Sequence, residues 1–285
     1  GMAFGSSNVM GGYNRTPVFV DIDGDGDLDA FVGKQNYYGE SDGTIFFENT
    51  GTANRPISAA PVLNPFGLSD TGGYAIFTLV DIDNDDDLDA FASDDVGNNL
   101  FLENTGTTNN PAFSSPVTNP FGLPSHVNTY ANTPHFVDID GDGDLDTSVN
   151  NVFFENVGTA SNPMFAAKEV NPFDNNYFVD IDGDGDLDSL QNGGFVRNTG
   201  TTTSPVFSNE SYNIFGGLEY SLNSNQRLRT FADIDGDGDL DAYVTNSYSY
   251  HNYTSNTGVF WINNHAPNVA NLTTSEIYTE DTPLN

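Results

Sequence analysis

Apolar residues in this chain come in short alternating or continuous runs of three to five, with no stretch of sustained 3.6-residue periodicity. That pattern predicts β-strands separated by tight turns rather than helices. One run precedes an acidic segment in each of five places: Val18-Phe19-Val20, Thr78-Leu79-Val80, His135-Phe136-Val137, Tyr177-Phe178-Val179 and Thr230-Phe231-Ala232. A second run follows it, as in Ala30-Phe31-Val32, Ala90-Phe91-Ala92 and Ala242-Tyr243-Val244, so the acidic segment reads as a loop between two strands.

A third run ends in an Asn-x-Gly turn, at Ile45 to Gly51, Leu100 to Gly106, Val152 to Gly158 and Phe195 to Gly200. Asn and Gly suit such turns because both tolerate positive φ. A fourth segment reads Asn64-Pro65-Phe66-Gly67, Asn119-Pro120-Phe121-Gly122, Asn171-Pro172-Phe173 and Asn213-Ile214-Phe215-Gly216, and its proline predicts an edge strand.

Four strands per repeat, with first-aspartate spacings of 60, 57, 42 and 53 residues, predict an all-β, five-bladed β-propeller of four-stranded blades. The last repeat reaches Val259-Phe260-Trp261-Ile262 without a fourth run, and Met2-Ala3-Phe4-Gly5 at the other end resembles it. The reading is therefore a propeller over residues 1–264, with the N-terminal strand completing the last blade, and a partial ring from a longer propeller is the alternative. Residues 265–285 are polar and read as a linker toward a further domain.

Composition changes this picture little, but charge sharpens it. The chain has 285 residues, 36% hydrophobic and 13% aromatic, which is enough to bury a core and argues against disorder. Formal net charge is −34, yet 26 of the 41 acidic residues lie in the five loops. The seven basic residues are scattered and form no patch for nucleic acid. There is no cysteine, and no apolar run approaches the roughly 20 residues of a membrane-spanning helix.

The loops read DIDGDGDLD, except for the second, which is DIDNDDDLD. So many carboxylates within a few ångströms repel one another unless something neutralises them. Oxygen-only ligands on a tight glycine-containing loop suit a hard divalent cation, and calcium tolerates the flexible geometry. The expected ligands are Asp21, Asp23, Asp25, Asp27 and Asp29 in the first loop, and Asp81, Asp83, Asp85, Asp87 and Asp89 in the second. The third supplies Asp138, Asp140, Asp142, Asp144 and Asp146, and the fourth Asp180, Asp182, Asp184, Asp186 and Asp188. The fifth supplies Asp233, Asp235, Asp237, Asp239 and Asp241. Positions 1, 3, 5 and 9 are expected to act through side chains, position 7 through its carbonyl, and position 6 as the glycine bend. Ile22 and Leu28, at positions 2 and 8, are expected to tuck against the sheet.

An EF-hand is excluded because position 12 holds Val32, Ala92, Val149, Gln191 and Val244 in place of a bidentate Glu. Without Cys or clustered His, zinc and copper are poor fits. Asn84 and Asp86 stand where the other loops have glycine, so the second site is expected to differ most in affinity.

These loops, with Phe-Phe-Glu-Asn-Thr-Gly-Thr and Asn-Pro-Phe-Gly, resemble the FG-GAP or integrin-alpha-like repeats, called VCBS repeats in bacteria. The resemblance covers about residues 2–264. It implies calcium loops between the first and second strands of each blade, and a partner on the opposite face. Integrin-type propellers have seven blades, against five repeats here. The tail from His265 resembles the lead into cadherin-like or immunoglobulin-like domains of large bacterial surface proteins.

Loops expected on the opposite face carry Lys34, Asn36, Tyr37, Tyr74, Tyr130, Tyr177, Arg227, Tyr248 and Tyr250, chemistry suited to stacking on and hydrogen-bonding a sugar or peptide. Filling of loop packing is an equally good account of the tyrosines. Glu48, Glu103 and Glu155 recur at one position, replaced by Arg197 and Asn263 elsewhere, and recurrence by repeat symmetry reads as structure. Glu40, Asp42, Asp94 and Asp95 leave a carboxylate pair conceivable, but no catalytic residue is nominated.

The expected function is a calcium-stabilised binding or adhesion module for a carbohydrate or protein, with about five calcium sites. It is expected at the cell surface or outside the cell, where calcium is plentiful, without membrane insertion and joined to further domains. The alternative is a domain of a secreted polysaccharide-degrading enzyme.

Overall fold

A computed structural model describes residues 17–35, 41–68, 77–94, 96–125, 133–149, 152–167, 178–180, 184–191, 194–212, 229–233, 240–250 and 253–261. The first sheet is a meander of β1 (Pro17–Val20), β2 (Asp29–Gln35), β3 (Ser41–Phe47) and β4 (Val62–Leu63). The second follows with β5 (Phe77–Val80), β6 (Asp89–Ser93), β7 (Asn99–Leu102) and β8 (Val117–Thr118). The third is β9 (His135–Val137), β10 (Asp146–Val149), β11 (Val152–Asn156) and β12 (Phe165–Ala167). The fourth is β13 (Phe178–Val179), β14 (Asp188–Gln191), β15 (Gly194–Asn198) and β16 (Phe207–Tyr212). Last come β17 (Arg229–Ala232), β18 (Asp241–Tyr250) and β19 (Tyr253–Trp261).

The protein is all-β, with sequential antiparallel sheets arranged as the blades of a β-propeller. The expected count of five four-stranded blades is corrected: four sheets have four strands and the last has three among the described residues. Met2 to Gly5, expected to complete it, lie outside the described residues, as do 265–285.

The core lies between sheets. Ala90 and Ala92 of β6 pack with Phe31, Phe46 and Phe77 in one cluster. Phe91, between them in sequence, points the other way, into a cluster with Phe101, Phe136, Val149 and Phe154. Alternate side chains of a strand face opposite sides, so a strand covered on both sides by neighbouring blades must be apolar at every position. This is why Ala90, Phe91 and Ala92 are all fully buried.

First strands meet along the middle of the assembly. β1 lies against both β5 and β17. Thr78 donates its hydroxyl to the carbonyl of Pro134 at 2.7 Å, and the His135 ring lies against the backbone of Phe178.

In the first two blades Asn-Pro-Phe-Gly is not an edge strand, and the corresponding segments at 171–173 and 213–216 lie outside the described residues. The outer strands β4 and β8 end just before it, and Pro65–Gly67 and Pro120–Gly122 form single 3-10 turns. Asn64 is left-handed (φ 50°, ψ 60°), and its Oδ1 accepts the Thr44 N–H at 2.9 Å, so the side chain extends the ladder the backbone has left. The turn drops Phe66 against Phe31 and Phe46, and the Phe66 carbonyl accepts the N–H of Phe113 from the next blade. Phe66 and Phe121 hold φ of 55° and 56°, a strained region for a bulky side chain that ring packing in the inter-blade cluster offsets.

Candidate metal centre

Each acidic nonapeptide joins the first and second strands of its sheet, as predicted. In the first loop the Asp21 carboxylate accepts the N–H groups of Asp25 (3.1 Å) and Gly26 (3.0 Å), and Asp25 accepts that of Asp27 (3.1 Å). The second loop repeats this with Asp81, Asp85, Asp86 and Asp87, and the third with Asp138, Asp142, Gly143 and Asp144. The fourth does so through Asp180, Asp184, Gly185 and Asp186. The backbone is thus wound around the first carboxylate, which brings those at positions 3 and 5 beside it. Carboxylate oxygens of Asp21, Asp23 and Asp25 lie within 4.8 Å of one another, as do those of Asp81, Asp83 and Asp85, and of Asp138, Asp140 and Asp142.

Hydrophobic positions hold the loop from below. Ile82 is buried in the core between the second and third sheets, whereas Leu88 of the same loop packs into the core between the first and second. Ile139 and Leu145 divide in the same way. One loop therefore pins two blade interfaces, a stronger role than the expected tuck against its own sheet.

The aspartate at position 9 sits deepest. Asp29 and Asp89 are 2% exposed, and each accepts one backbone N–H at 2.7 Å, from Asn49 and Asn104. Their second oxygens, Asp29 Oδ2 and Asp89 Oδ2, are buried without a hydrogen-bond partner, as are Asp23 Oδ1, Asp27 Oδ1, Asp83 Oδ1 and Asp87 Oδ1. Asp144 Oδ1 and Asp186 Oδ1 continue the series in the third and fourth loops. Position 7 was expected to act through its carbonyl, and the structure adds its carboxylate: Asp27 is 7% exposed and turned inward.

Burial raises these carboxyls, and neighbouring aspartates push them further. Asp29, Asp89 and Asp146 are driven up to about 7 by burial, opposed in part by the backbone N–H each accepts. Burial followed by the charges of Asp85, Asp83 and Asp81 drives Asp87 up to about 6. Asp23, Asp27, Asp83, Asp140, Asp144 and Asp186 are raised from the same first cause. Several converging buried carboxylates must either take up protons or share a cation. The donor set is oxygen throughout, which fits a hard dication such as calcium.

An asparagine relay supports each of the first four loops. Asn49, whose N–H binds Asp29, uses its Oδ1 to accept the N–H groups of Gly51 (3.0 Å) and Ile57 (2.9 Å). Asn104, Asn156 and Asn198 do the same. Positive φ does not explain this Asn-x-Gly turn, since neither residue adopts it. The asparagine serves for its side-chain oxygen, and the glycine because a Cβ at Gly51 would overlap the Arg55 carbonyl. The signal was in the sequence, where Asn recurs at a fixed place after each third strand.

A clasp between blades was not foreseen. Thr108 donates its hydroxyl to the Asp86 carbonyl of the second loop (2.8 Å), and Asn109 donates its Nδ2 to the Asp23 carbonyl of the first (2.6 Å).

Of the fifth loop, Asp233 and Asp241 are described, with Asp241 fully buried, while Asp235, Asp237 and Asp239 lie outside the described residues, as does Asp182 of the fourth. Asn36, Tyr37, Tyr74, Tyr130, Tyr177 and Arg227 also lie outside them. Lys34 falls in β2, and Tyr248 and Tyr250 in β18, where only the backbone is described. Asp94 accepts the N–H groups of Val96 and Asn98 and so braces the turn between β6 and β7.

No family model matches the chain, and neither the curated proteins nor the solved structures contain a significant relative.

Proposed function

We propose that the chain is a calcium-stabilised propeller of the FG-GAP or VCBS type that serves outside the cell as a binding or adhesion module. The observation that carries this reading is the set of buried, unpartnered carboxylate oxygens repeated in loop after loop at equivalent positions. In the first loop Asp21, Asp23, Asp25, Asp27 and Asp29 would hold the ion, which supplies the positive charge that these carboxylates lack. The contact of β1 with both β5 and β17 supports a ring closed through the sheet of β17, β18 and β19.

Extracellular modules bind calcium at about 0.1–1 mM. A ligand that binds only the folded state stabilises it by about 2.7 kcal/mol per site at one hundred times its dissociation constant. Several such sites would make the fold depend on a calcium-rich environment, which supports placing it at the cell surface. The partner is proposed to be a carbohydrate or a protein held by the face opposite the loops.

Calorimetric titration of metal-stripped protein tests the metal reading: several calcium ions should bind, with magnesium a poor substitute. A glycan array followed by product analysis tests the module reading. Retention without product release supports it, and the appearance of reducing ends or unsaturated sugars would replace it with a polysaccharide-degrading enzyme.

A further inference from the structure

The residue just before the relay asparagine is Glu48, Glu103 or Glu155 in the first three blades and Arg197 in the fourth. The register is the same in each, since the next residue donates its N–H to the aspartate at position 9: Asn49 to Asp29, Asn104 to Asp89, Asn156 to Asp146 and Asn198 to Asp188. The glutamates therefore stand at the place in their blades that Arg197 holds in the fourth. Arg197 turns toward its loop, and its Nη2 donates to Asp184 Oδ2 at 3.1 Å.

We infer that Arg197 gives the fourth loop a built-in cation, so that this loop binds calcium much more weakly than the first three and keeps its shape without it. The inference rests on the calcium reading above. Its basis is the guanidinium on Asp184, the carboxylate at position 5, in a loop whose described backbone hydrogen bonds match the others: Asp184 and Gly185 N–H to Asp180 (3.2 and 3.0 Å), and Asp186 N–H to Asp184 (3.2 Å). Where the described hydrogen bonds of the loops agree, the residue before the relay asparagine differs in charge. Replacing Glu by Arg changes the local charge by two units, and it engages the carboxylate at position 5, Asp184, which a cation would need.

Even at the dielectric of water, a two-unit change of charge within a few ångströms of a dication weakens its binding by roughly ten- to a hundredfold, the lower figure once salt screens it. The pair is partly exposed, with side chains 35% and 32% accessible, so its own contribution to stability is small. Its effect is on ion affinity, and the sequence difference at Asn84 and Asp86 is the lesser source of inequality among these sites.

The test is calcium titration of the metal-stripped full chain by calorimetry, for the wild type, Arg197→Glu, Arg197→Gln and Glu155→Arg. Arg197→Glu is expected to gain one calcium in the affinity range of the other sites, Arg197→Gln to show a partial gain, and Glu155→Arg to lose one. Because Glu155→Arg alters a different blade, it decides the matter even if Arg197→Glu does not fold. Unchanged stoichiometry and affinities in all three variants, against a wild type that binds calcium, would overturn the inference and leave the calcium reading standing. No calcium bound by any of the four proteins would overturn both.

Discussion

The first and second acidic loops share a backbone but not the residues that make it easy to adopt. Gly24 and Gly26 hold φ of 70° and 93°, and Asn84 and Asp86 hold 61° and 70° at the same two positions. The hydrogen bonds onto Asp21 and Asp81 match to within 0.1 Å. The loop is therefore wound by its first carboxylate, and glycine only lowers the cost of winding. The extra charge of Asp86 is solvent-exposed, and the carboxylates that push up its neighbour Asp87 are Asp85, Asp83 and Asp81. What distinguishes the second loop is backbone strain more than electrostatics.

If the first carboxylate winds both loops, removing it should break both alike. Asp21→Ala and Asp81→Ala each delete an acceptor of two N–H groups and one ion ligand, and each is expected to lower stability in calcium by about 3 kcal/mol. Chemical denaturation in saturating calcium measures this, and a loss confined to one loop would end the equivalence.

The relay should be equally indifferent to the loop it serves. Asn49→Ala and Asn104→Ala each strip the acceptor from two N–H groups, at an expected cost of about 2–3 kcal/mol. A loss below about 0.5 kcal/mol by the same assay would show that the turn holds itself.

Under the calcium reading, acidity should separate the metal-free from the calcium-bound protein. The folded carboxyls of Asp29, Asp89 and Asp146 lie near 7 against an ordinary 3.8. Their protonated forms therefore favour folding, an advantage complete below about pH 4 and lost as pH rises through 7. Metal-stripped protein should melt at progressively lower temperature from pH 4 to 7.5. In calcium that slope should flatten or reverse, because the ion takes the deprotonated form. Parallel melting curves across this range with and without calcium would contradict the account.

The smallest effect sharpens the comparison most. Asp86→Gly should stabilise the second loop by about 0.5–1 kcal/mol, and Gly26→Ala should destabilise the first by about 1–2 kcal/mol. A Cβ at Gly26 meets open space, so backbone strain is the cause under test. Effects of the same sign in both loops would show that glycine acts here in some other way.

Much of this was legible in the residues. Alternating runs gave the strands, and the placement of each nonapeptide between Val20 and Ala30, or Val80 and Ala90, gave the loop its position. Ile22 and Leu28 announced an anchored loop, but which interface each side chain enters depends on how blades stack, which no local pattern encodes. Asn49 and Asn64 were visible as turn formers, yet their main contribution is a side-chain oxygen standing in for backbone, a role that composition does not separate from tolerance of positive φ. Pro65 was read as a strand edge because proline lacks a donor, and the same deficit also suits a single-turn exit from the sheet.

Thermal unfolding of the metal-stripped chain at neutral pH, with calcium titrated against a chelator, tests the central claim most directly. The account predicts a large rise in melting temperature that saturates in the millimolar range, reverses with chelator and is poorly reproduced by magnesium. A melting temperature that ignores calcium would contradict it, leaving the buried aspartates neutralised by protons and the proposed extracellular role without its support.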